Sequence, residues 1–349
     1  MGNYYTFSDV ERPFVQARAS TEAAAFIAKL PPDFAAAQRR AILAAQNGDV
    51  AELEKIRASR RASTHDLSAV FVDDEFIGRG GSGAAQSAEG YESETGCGGA
   101  KLRLRIYTPK TNLSQSRAIL LYLHGGGWTI NSPENCERFC RDFALKNDAV
   151  VVAPDYRLAP EHPFPAANED AKTAFGWVVK HAEILGGSAG KTFVGGDSAG
   201  GHLALSLAID VRDDDSAEAK PAGVIAFYPA LDLRPSERES AKFFGEKFCL
   251  NGELMKLYIN AYAPTAEAKE AASLFGRNLR GLPRTLLIVS ECDILRSEAA
   301  EFYALLKAAG VRARYVCLEG ATHIYITQDG MDDAYQTALA EASAFVKAE

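Results

Sequence analysis

The 349-residue sequence lacks any long apolar run. A membrane-spanning helix needs about 18 or more consecutive apolar residues, and no such stretch occurs, so no membrane span is expected. The first residues, MGNYYTFSDVERPF, also lack the apolar centre of a secretory signal peptide. We therefore expect a cytoplasmic protein.

Basic residues are too few for a nucleic-acid-binding surface. The chain has 38 Lys and Arg residues against 46 Asp and Glu, which gives a formal net charge of −8. Neutralising the phosphates of DNA or RNA requires a basic surface, so a nucleic-acid partner is not expected. Hydrophobic residues make up 47% of the chain and charged residues 24%, as in an ordinary globular protein.

The cysteines show no pairing or metal-binding pattern. No Cys or His set near them has the spacing of a zinc site, so we expect no metal. In the absence of a secretory signal, free thiols in a reducing compartment are predicted. The six are Cys97, Cys136, Cys140, Cys249, Cys292 and Cys317.

Helical patterns fill the first part of the chain. Residues 1 to about 75 are rich in Ala, Leu, Lys and Glu with apolar spacings of three and four, which predicts helices broken at Pro31, Pro32 and Gly48. Residues 78–90 are rich in Gly and Ser and are predicted to be a linker.

From about residue 100, short β-rich runs alternate with helical segments. This alternation predicts an α/β fold with a mostly parallel sheet and helices on both faces. The segment 232–275, between two strands, is longer than a crossover needs and is predicted to be an inserted, partly helical cap. The predicted strands are 102–108, 118–124, 149–155, 192–197, 223–229, 285–291 and 313–319.

A candidate nucleophile lies between a predicted strand and helix. Residues 196–200, Gly-Asp-Ser-Ala-Gly, match G-x-S-x-G, in which a sharp turn exposes the serine hydroxyl at the sheet edge. Ser198 is therefore the predicted nucleophile. His124 and three glycines follow an earlier strand, a pattern typical of an oxyanion hole. We predict that the backbone N–H groups of Gly126, Gly127 and Ala199 form this hole.

The general base and its acidic partner should follow the serine in the chain. His323 comes after the last predicted strand, and Asp293 comes after the strand before it. These residues are predicted to complete a Ser–His–Asp triad. The rival acids are Glu291, Glu298 and Asp232, and His202 is expected to be a packed or solvated side chain.

Five elements together resemble the hormone-sensitive lipase family of α/β-hydrolases, in its bacterial esterase branch. The resemblance implies an eight-stranded α/β-hydrolase sheet, a helical cap that includes the N-terminus, and a carboxylesterase without a cofactor. It also suggests a homodimer, and we assign structural roles to Asp155 and Glu161. The elements are HGGGW (124–128), YRLAPEHPFPAA (156–167), GGDSAGG (195–201), DILRSE (293–298) and His323.

The sequence departs from the family pattern at two places beside the predicted site. Residues 293–298 read DILRSE where the family usually has DPLRDE, and Ile324-Tyr325 stand where it usually has Gly-Phe. Neither change removes a predicted triad residue, but both could alter the acyl pocket. We divide the chain into a cap segment with linker, 1–90, and an α/β-hydrolase domain, 91–349, that carries the cap insertion.

The function predicted from these patterns is hydrolysis of small or short-acyl esters through an acyl-enzyme intermediate. The partner is a small-molecule ester, with no cofactor. Two alternatives remain open. One is an amidase or lactonase that uses the same triad, because selectivity depends on pocket shape. The other is a non-catalytic small-molecule receptor, although such members typically have a damaged triad.

Overall fold

The computed structural model describes the backbone of residues 4–6 and residues 17–61, 65–79, 101–110, 116–234, 238–245 and 248–348. The described residues form one nine-stranded sheet flanked by helices. The strands are β1 (Tyr4–Thr6), β2 (Val70–Gly78), β3 (Lys101–Pro109), β4 (Arg117–Leu123), β5 (Val150–Pro154), β6 (Gly187–Asp197), β7 (Val224–Phe227), β8 (Thr285–Cys292) and β9 (Ala313–Thr322).

The sheet has the order β1-β9-β8-β7-β6-β4-β5-β3-β2. Its centre, from β5 through β4, β6, β7 and β8 to β9, is parallel, and β3 and β2 extend one side in antiparallel pairing. β2 to β9 confirm the expected eight-stranded, mostly parallel sheet. The short β1 adds a ninth strand, antiparallel to β9.

Helices cover both faces of the sheet because successive side chains on each strand point in opposite directions. On β4, Leu121 belongs to a core cluster with α5, α6 and α10, whereas Leu120 belongs to a second cluster with α4 and α11. The helices are α1 (Thr21–Lys29), α2 (Phe34–Gln46), α3 (Ala51–Ser59), α4 (Glu137–Asn147), α5 (Ala166–Lys180), α6 (Ala199–Arg212), α7 (Glu239–Phe244), α8 (Gly252–Tyr262), α9 (Ala266–Ala272), α10 (Arg296–Ala308) and α11 (Asp332–Lys347).

The N-terminal region is helical in part, as predicted, but the prediction of helix up to about residue 75 is wrong. Residues 70–78 form β2, which pairs along its whole length with β3. It is an edge strand with mostly exposed side chains, so it lacks the apolar alternation that identifies a buried strand. The predicted linker 78–90 lies mostly outside the described residues.

The insertion between β7 and β8 contains α7, α8 and α9, in agreement with the predicted helical character of 232–275. α8 packs against α2 of the N-terminal region. At this contact, the Tyr258 hydroxyl donates a hydrogen bond to Oε1 of Gln38 at 2.5 Å. An ion pair joins Arg39 to Glu253. Helices from two distant parts of the chain therefore meet over the same end of the sheet.

Candidate active site

A sharp turn between β6 and α6 presents Ser198. The strand ends at Asp197 and the helix begins at Ala199, so the serine makes the turn alone, with φ 54° and ψ −117°. A positive φ is costly for a residue with a side chain. The turn is this tight because β4 and α6 nearly touch: a Cβ at Gly200 would overlap the carbonyl oxygen of Leu123. Close packing therefore requires glycine beside the serine.

Three of the predicted side chains meet at this turn. His323 Nε2 lies 3.0 Å from Ser198 Oγ, and His323 Nδ1 lies 2.6 Å from Oδ2 of Asp293. Asp293 directly follows β8 and His323 directly follows β9. With the proton on Nδ1, the imidazole donates to Asp293 and its Nε2 accepts from the serine hydroxyl. Both residues are buried, at 3% and 4% exposure, so this hydrogen bond is shielded from water.

The glycine loop after β4 faces the same cavity as Ser198. Gly126 has φ 117° and Gly127 has φ 59°, which are conformations that favour glycine. Within the described chain, the N–H groups of these two glycines donate to no backbone carbonyl. Ala199 is the first residue of α6, and the N–H groups of a first helical turn have no acceptor within the helix. The three predicted donors are thus available to a ligand.

Asp197 fixes this loop to the nucleophile turn. Its Oδ1 accepts hydrogen bonds from the backbone N–H of Gly125, at 3.0 Å, and from the Tyr122 hydroxyl, at 3.1 Å. Burial raises the pKa of Asp197 to about 6, although these hydrogen bonds and the nearby His323 lower it in part. Position 197 is only a variable residue in G-x-S-x-G, so the motif gives no sign of this role.

The cavity in front of Ser198 has a volume of about 360 Å³. Its floor contains the nucleophile turn, His323 and the glycine loop. The helices above supply an apolar wall from α8, which includes Leu254 and Met255, and residues of α2 and α3 line the same space. The ring of Tyr258 lies against Gly127, where a Cβ would overlap it. Helices α2, α3 and α8 therefore shape the space next to the predicted oxyanion hole.

The rival residues are engaged elsewhere. Glu291 and Glu298 each accept a backbone N–H, at 2.8 and 2.7 Å. Asp232 is bound by neighbouring arginine side chains. His202 Nε2 lies 2.8 Å from a backbone carbonyl oxygen, and burial lowers the pKa of this imidazole to about 4. Each rival thus has a structural partner of its own, and His202 is packed as expected.

Arg57 of α3 ties the N-terminal helices to the glycine loop. Its guanidinium, 1% exposed, donates to the carbonyl oxygen of Thr129 at 2.9 Å and to that of Ala159 at 2.8 Å. It also binds both carboxylate oxygens of Glu161, at 2.7 and 2.9 Å. Glu161 thus has a structural contact, as its assigned role requires. No sequence pattern identifies Arg57, because the carbonyl and carboxylate partners named here are 72 to 104 residues away.

Asp155, the other residue given a structural role, is fully buried. Its Oδ2 accepts from Arg61 and Arg103, each at 3.1 Å. Both arginines belong to segments that precede the glycine loop in the chain. The carboxylate therefore joins β3 and the residues that follow α3 to the segment after β5.

Comparisons with known proteins agree with this geometry. A protein-family profile described as alpha/beta hydrolase fold matches residues 120–327, more than half of the chain. The chain belongs to this family. The expected hormone-sensitive lipase relationship, in the bacterial esterase branch, is confirmed by esterase relatives at 30% identity or more.

Two relatives and one solved structure illustrate the relationship of this α/β-hydrolase. Carboxylic ester hydrolase LipN of Mycobacterium tuberculosis is 35% identical over 215 residues, which cover 60% of this chain and 57% of that protein. Ethyl acetate hydrolase of Pseudomonas putida is 31% identical over 65% of this chain and 72% of its own. The hyperthermophilic esterase of Pyrobaculum calidifontis superposes with a TM-score of 0.73 at 30% identity, over 95% and 98% of the two chains. By family and relatives, the α/β-hydrolase described here is a carboxylic ester hydrolase.

Three further features of the described part of the α/β-hydrolase concern metals, membranes and thiols. The described part contains no group of three or more His, Cys, Asp or Glu side chains arranged to hold a metal ion. None of its helices combines the length and apolar character of a membrane span. Within this part, Cys136, Cys140 and Cys249 are free thiols.

Proposed function

We propose that the protein is a serine carboxylesterase that hydrolyses small or short-acyl esters through an acyl-enzyme intermediate. The observation that carries this proposal is the hydrogen-bonded series from Ser198 Oγ through His323 to Asp293, at 3.0 and 2.6 Å, beside three N–H groups in one cavity. The esterase names of the relatives support the same chemistry.

In the first half of the reaction, His323 Nε2 removes the proton of Ser198 Oγ as this oxygen attacks the ester carbonyl carbon. The negative charge that develops on the carbonyl oxygen is stabilised by the N–H groups of Gly126, Gly127 and Ala199. Each such donor contributes about 3 kcal/mol in comparable enzymes. His323 then gives its proton to the leaving alcohol, and the acyl group stays on the serine.

In the second half, water replaces the alcohol and the same groups act again. His323 takes a proton from water, the resulting nucleophile attacks the acyl carbon, and the acid leaves as Ser198 recovers its proton. Asp293 holds the Nδ1–H tautomer throughout and stabilises the imidazolium that forms in each half. No cofactor is needed for either half.

We further propose that the N-terminal helices and the 232–275 insertion together act as the cap of the α/β-hydrolase domain. The contact between α2 and α8, and the presence of both helices in the cavity wall, support this division. A cavity of about 360 Å³ is at the small end of ligand pockets, which favours short acyl chains. We expect kcat/KM to fall steeply for acyl chains too long for this space.

Family resemblance also supports a homodimer, and the free thiols support a reducing, cytoplasmic location. Sedimentation equilibrium of the purified protein tests the first: a mass equal to one chain at all concentrations would contradict it. Fractionation of the native host cell tests the second, and recovery of the protein outside the cytoplasm would contradict it.

The activity is tested with a series of p-nitrophenyl esters of increasing acyl length, together with a matched amide and a lactone. We expect turnover to be highest for short acyl esters. Ser198→Ala should reduce hydrolysis to the uncatalysed background while leaving the fold unchanged. Faster hydrolysis of the amide or the lactone would favour the alternative activities, and unchanged turnover by Ser198→Ala would contradict the mechanism.

A further inference from the structure

The cavity lining contains a cation without an acidic partner. Arg60 follows α3 directly and lines the same cavity as Ser198 and His323. Its Nη1 donates to Oδ1 of Asn131 at 2.8 Å. Within the described ranges, no carboxylate forms an ion pair with this guanidinium.

The carboxylates that also line the cavity are already engaged. Glu134 is bound by both terminal nitrogens of Arg103, at 2.7 and 3.1 Å. Asp329, 72% exposed at the rim, pairs with Arg138 at 2.9 Å. Asp197 accepts hydrogen bonds from the loop beneath the cavity, as described above. None of them therefore neutralises the free guanidinium.

An unpaired guanidinium in a largely buried position is unfavourable unless a ligand supplies the negative charge. Burial lowers the pKa of Arg60, which shows the cost of its position, but an arginine stays protonated at neutral pH. Its planar fork of N–H donors matches the two oxygens of a carboxylate. The chemistry therefore favours a carboxylate as the missing partner.

The position of Arg60 relates this group to the reacting ester. Asn131, which accepts its hydrogen bond, packs against Gly126, with its Cγ 3.0 Å from the Cβ position of that glycine. The guanidinium is thus separated by one side chain from the predicted oxyanion hole. The cavity also has an apolar wall, which includes Leu254 and Met255. A substrate can place an apolar part against these side chains and a charged part at Arg60.

We propose that the preferred substrates are small esters that carry a second, free carboxylate, and that Arg60 binds this carboxylate. The inference rests on the proposed esterase function, because it names the substrate class of that site. It adds a specificity-determining residue that lies outside the motifs of the hydrolase domain.

The test compares monoethyl succinate with ethyl levulinate, a neutral ester of nearly the same shape, in a pH-stat. We expect Arg60→Gln to lower the ratio of the two kcat/KM values roughly 10- to 100-fold, because a hydrogen-bonded charge is lost. Arg60→Lys keeps the charge but not the fork, so the ratio should fall less. Arg40→Gln, whose side chain on α2 is 68% exposed, is the matched control and should keep the wild-type ratio.

Calorimetric binding of succinate to the same variants gives a readout that does not require turnover. Succinate should bind the wild type and Arg40→Gln alike, and Arg60→Gln roughly 10-fold or more weaker. If Arg60→Gln still hydrolyses both esters with the wild-type ratio of kcat/KM values and binds succinate as well as wild type does, this inference is overturned. The proposed esterase function would not be affected by that result. Hydrolysis of neither ester by the wild type would instead remove the proposed function. Thermal melts establish that the variants are folded.

Discussion

Replacing Asp197 by Asn removes a buried ionisable group and keeps the hydrogen bonds that the side chain accepts. The asparagine keeps an oxygen that accepts from Gly125 and Tyr122, but it removes the ionisable group. Burial raises the pKa of Asp197 from 3.8 to about 6, so the folded protein holds this proton more tightly than the unfolded chain. The stability that protonated Asp197 contributes is therefore complete below the unfolded pKa and is lost as the pH rises through the folded pKa.

The size of the effect follows from the shift of about two pKa units. At about 1.4 kcal/mol per unit, the ionised carboxylate costs the folded state about 3 kcal/mol at neutral pH. The free energy of unfolding of Asp197→Asn, relative to that of wild type, should therefore increase by about 3 kcal/mol from about pH 4 to pH 8. The increase should be complete above about pH 6. Urea unfolding at both pH values measures the difference in the free energy of unfolding.

Two further variants make this experiment specific. Asp215→Asn, on an exposed stretch, removes the same charge from the surface and should show little pH-dependent difference from wild type. Asp197→Ala also removes the charge, but it leaves two buried donors unsatisfied, at about 1 to 3 kcal/mol each, so it should be less stable than Asp197→Asn at both pH values. A stability difference between Asp197→Asn and wild type that does not change with pH would refute the reasoning.

Three other substitutions test the positions that shape the site. Gly127→Ala should reduce kcat/KM for p-nitrophenyl butyrate by about 100-fold or more. The new Cβ would overlap the Tyr258 ring, and the loss of one oxyanion-hole donor has an effect of this size. Activity near that of wild type would contradict the assignment of Gly127 to the oxyanion hole. Arg57→Met should lower the free energy of unfolding, measured in urea, by about 3 kcal/mol, because the buried carbonyl oxygens of Thr129 and Ala159 would each lose a charged donor, at about 1 to 3 kcal/mol each. An unchanged unfolding midpoint would contradict this role of Arg57. Ile324→Gly should relieve about 1 kcal/mol of backbone strain at φ 69°. The wider cavity should also accept longer acyl esters. An unchanged dependence of kcat/KM on acyl-chain length would contradict the place of Ile324 in the cavity wall.

Much of the fold and site could be predicted because the relevant signals are local. A buried parallel strand is a continuous apolar run, and the turn that holds Ser198 needs small residues within a few positions. Because parallel strands end at the same sheet edge, the residues after β4, β6, β8 and β9 can be predicted to lie close together. The order serine, acid, histidine along the chain then identifies Asp293 and His323 as the predicted partners of Ser198.

The features that were missed depend on contacts between distant segments. β2 is mostly exposed and acidic, so its pattern resembles neither a buried strand nor a clear loop. Arg57 and Arg60 are ordinary helix-forming residues in the sequence, and their importance comes from partners 71 to 104 residues away. The left-handed conformation of Ile324 could not be inferred from the residue itself, since β-branched residues rarely adopt it.

The central claim is that His323 activates Ser198 for attack on an ester, and labelling with a fluorophosphonate tests it most directly. Such a probe forms a covalent bond only with an activated serine, and mass spectrometry of the digested protein locates the label. We predict one label per chain on the peptide that contains Ser198, lost in Ser198→Ala and slowed by orders of magnitude in His323→Gln. Labelling of another residue, or equally fast labelling of Ser198 in His323→Gln, would contradict the account.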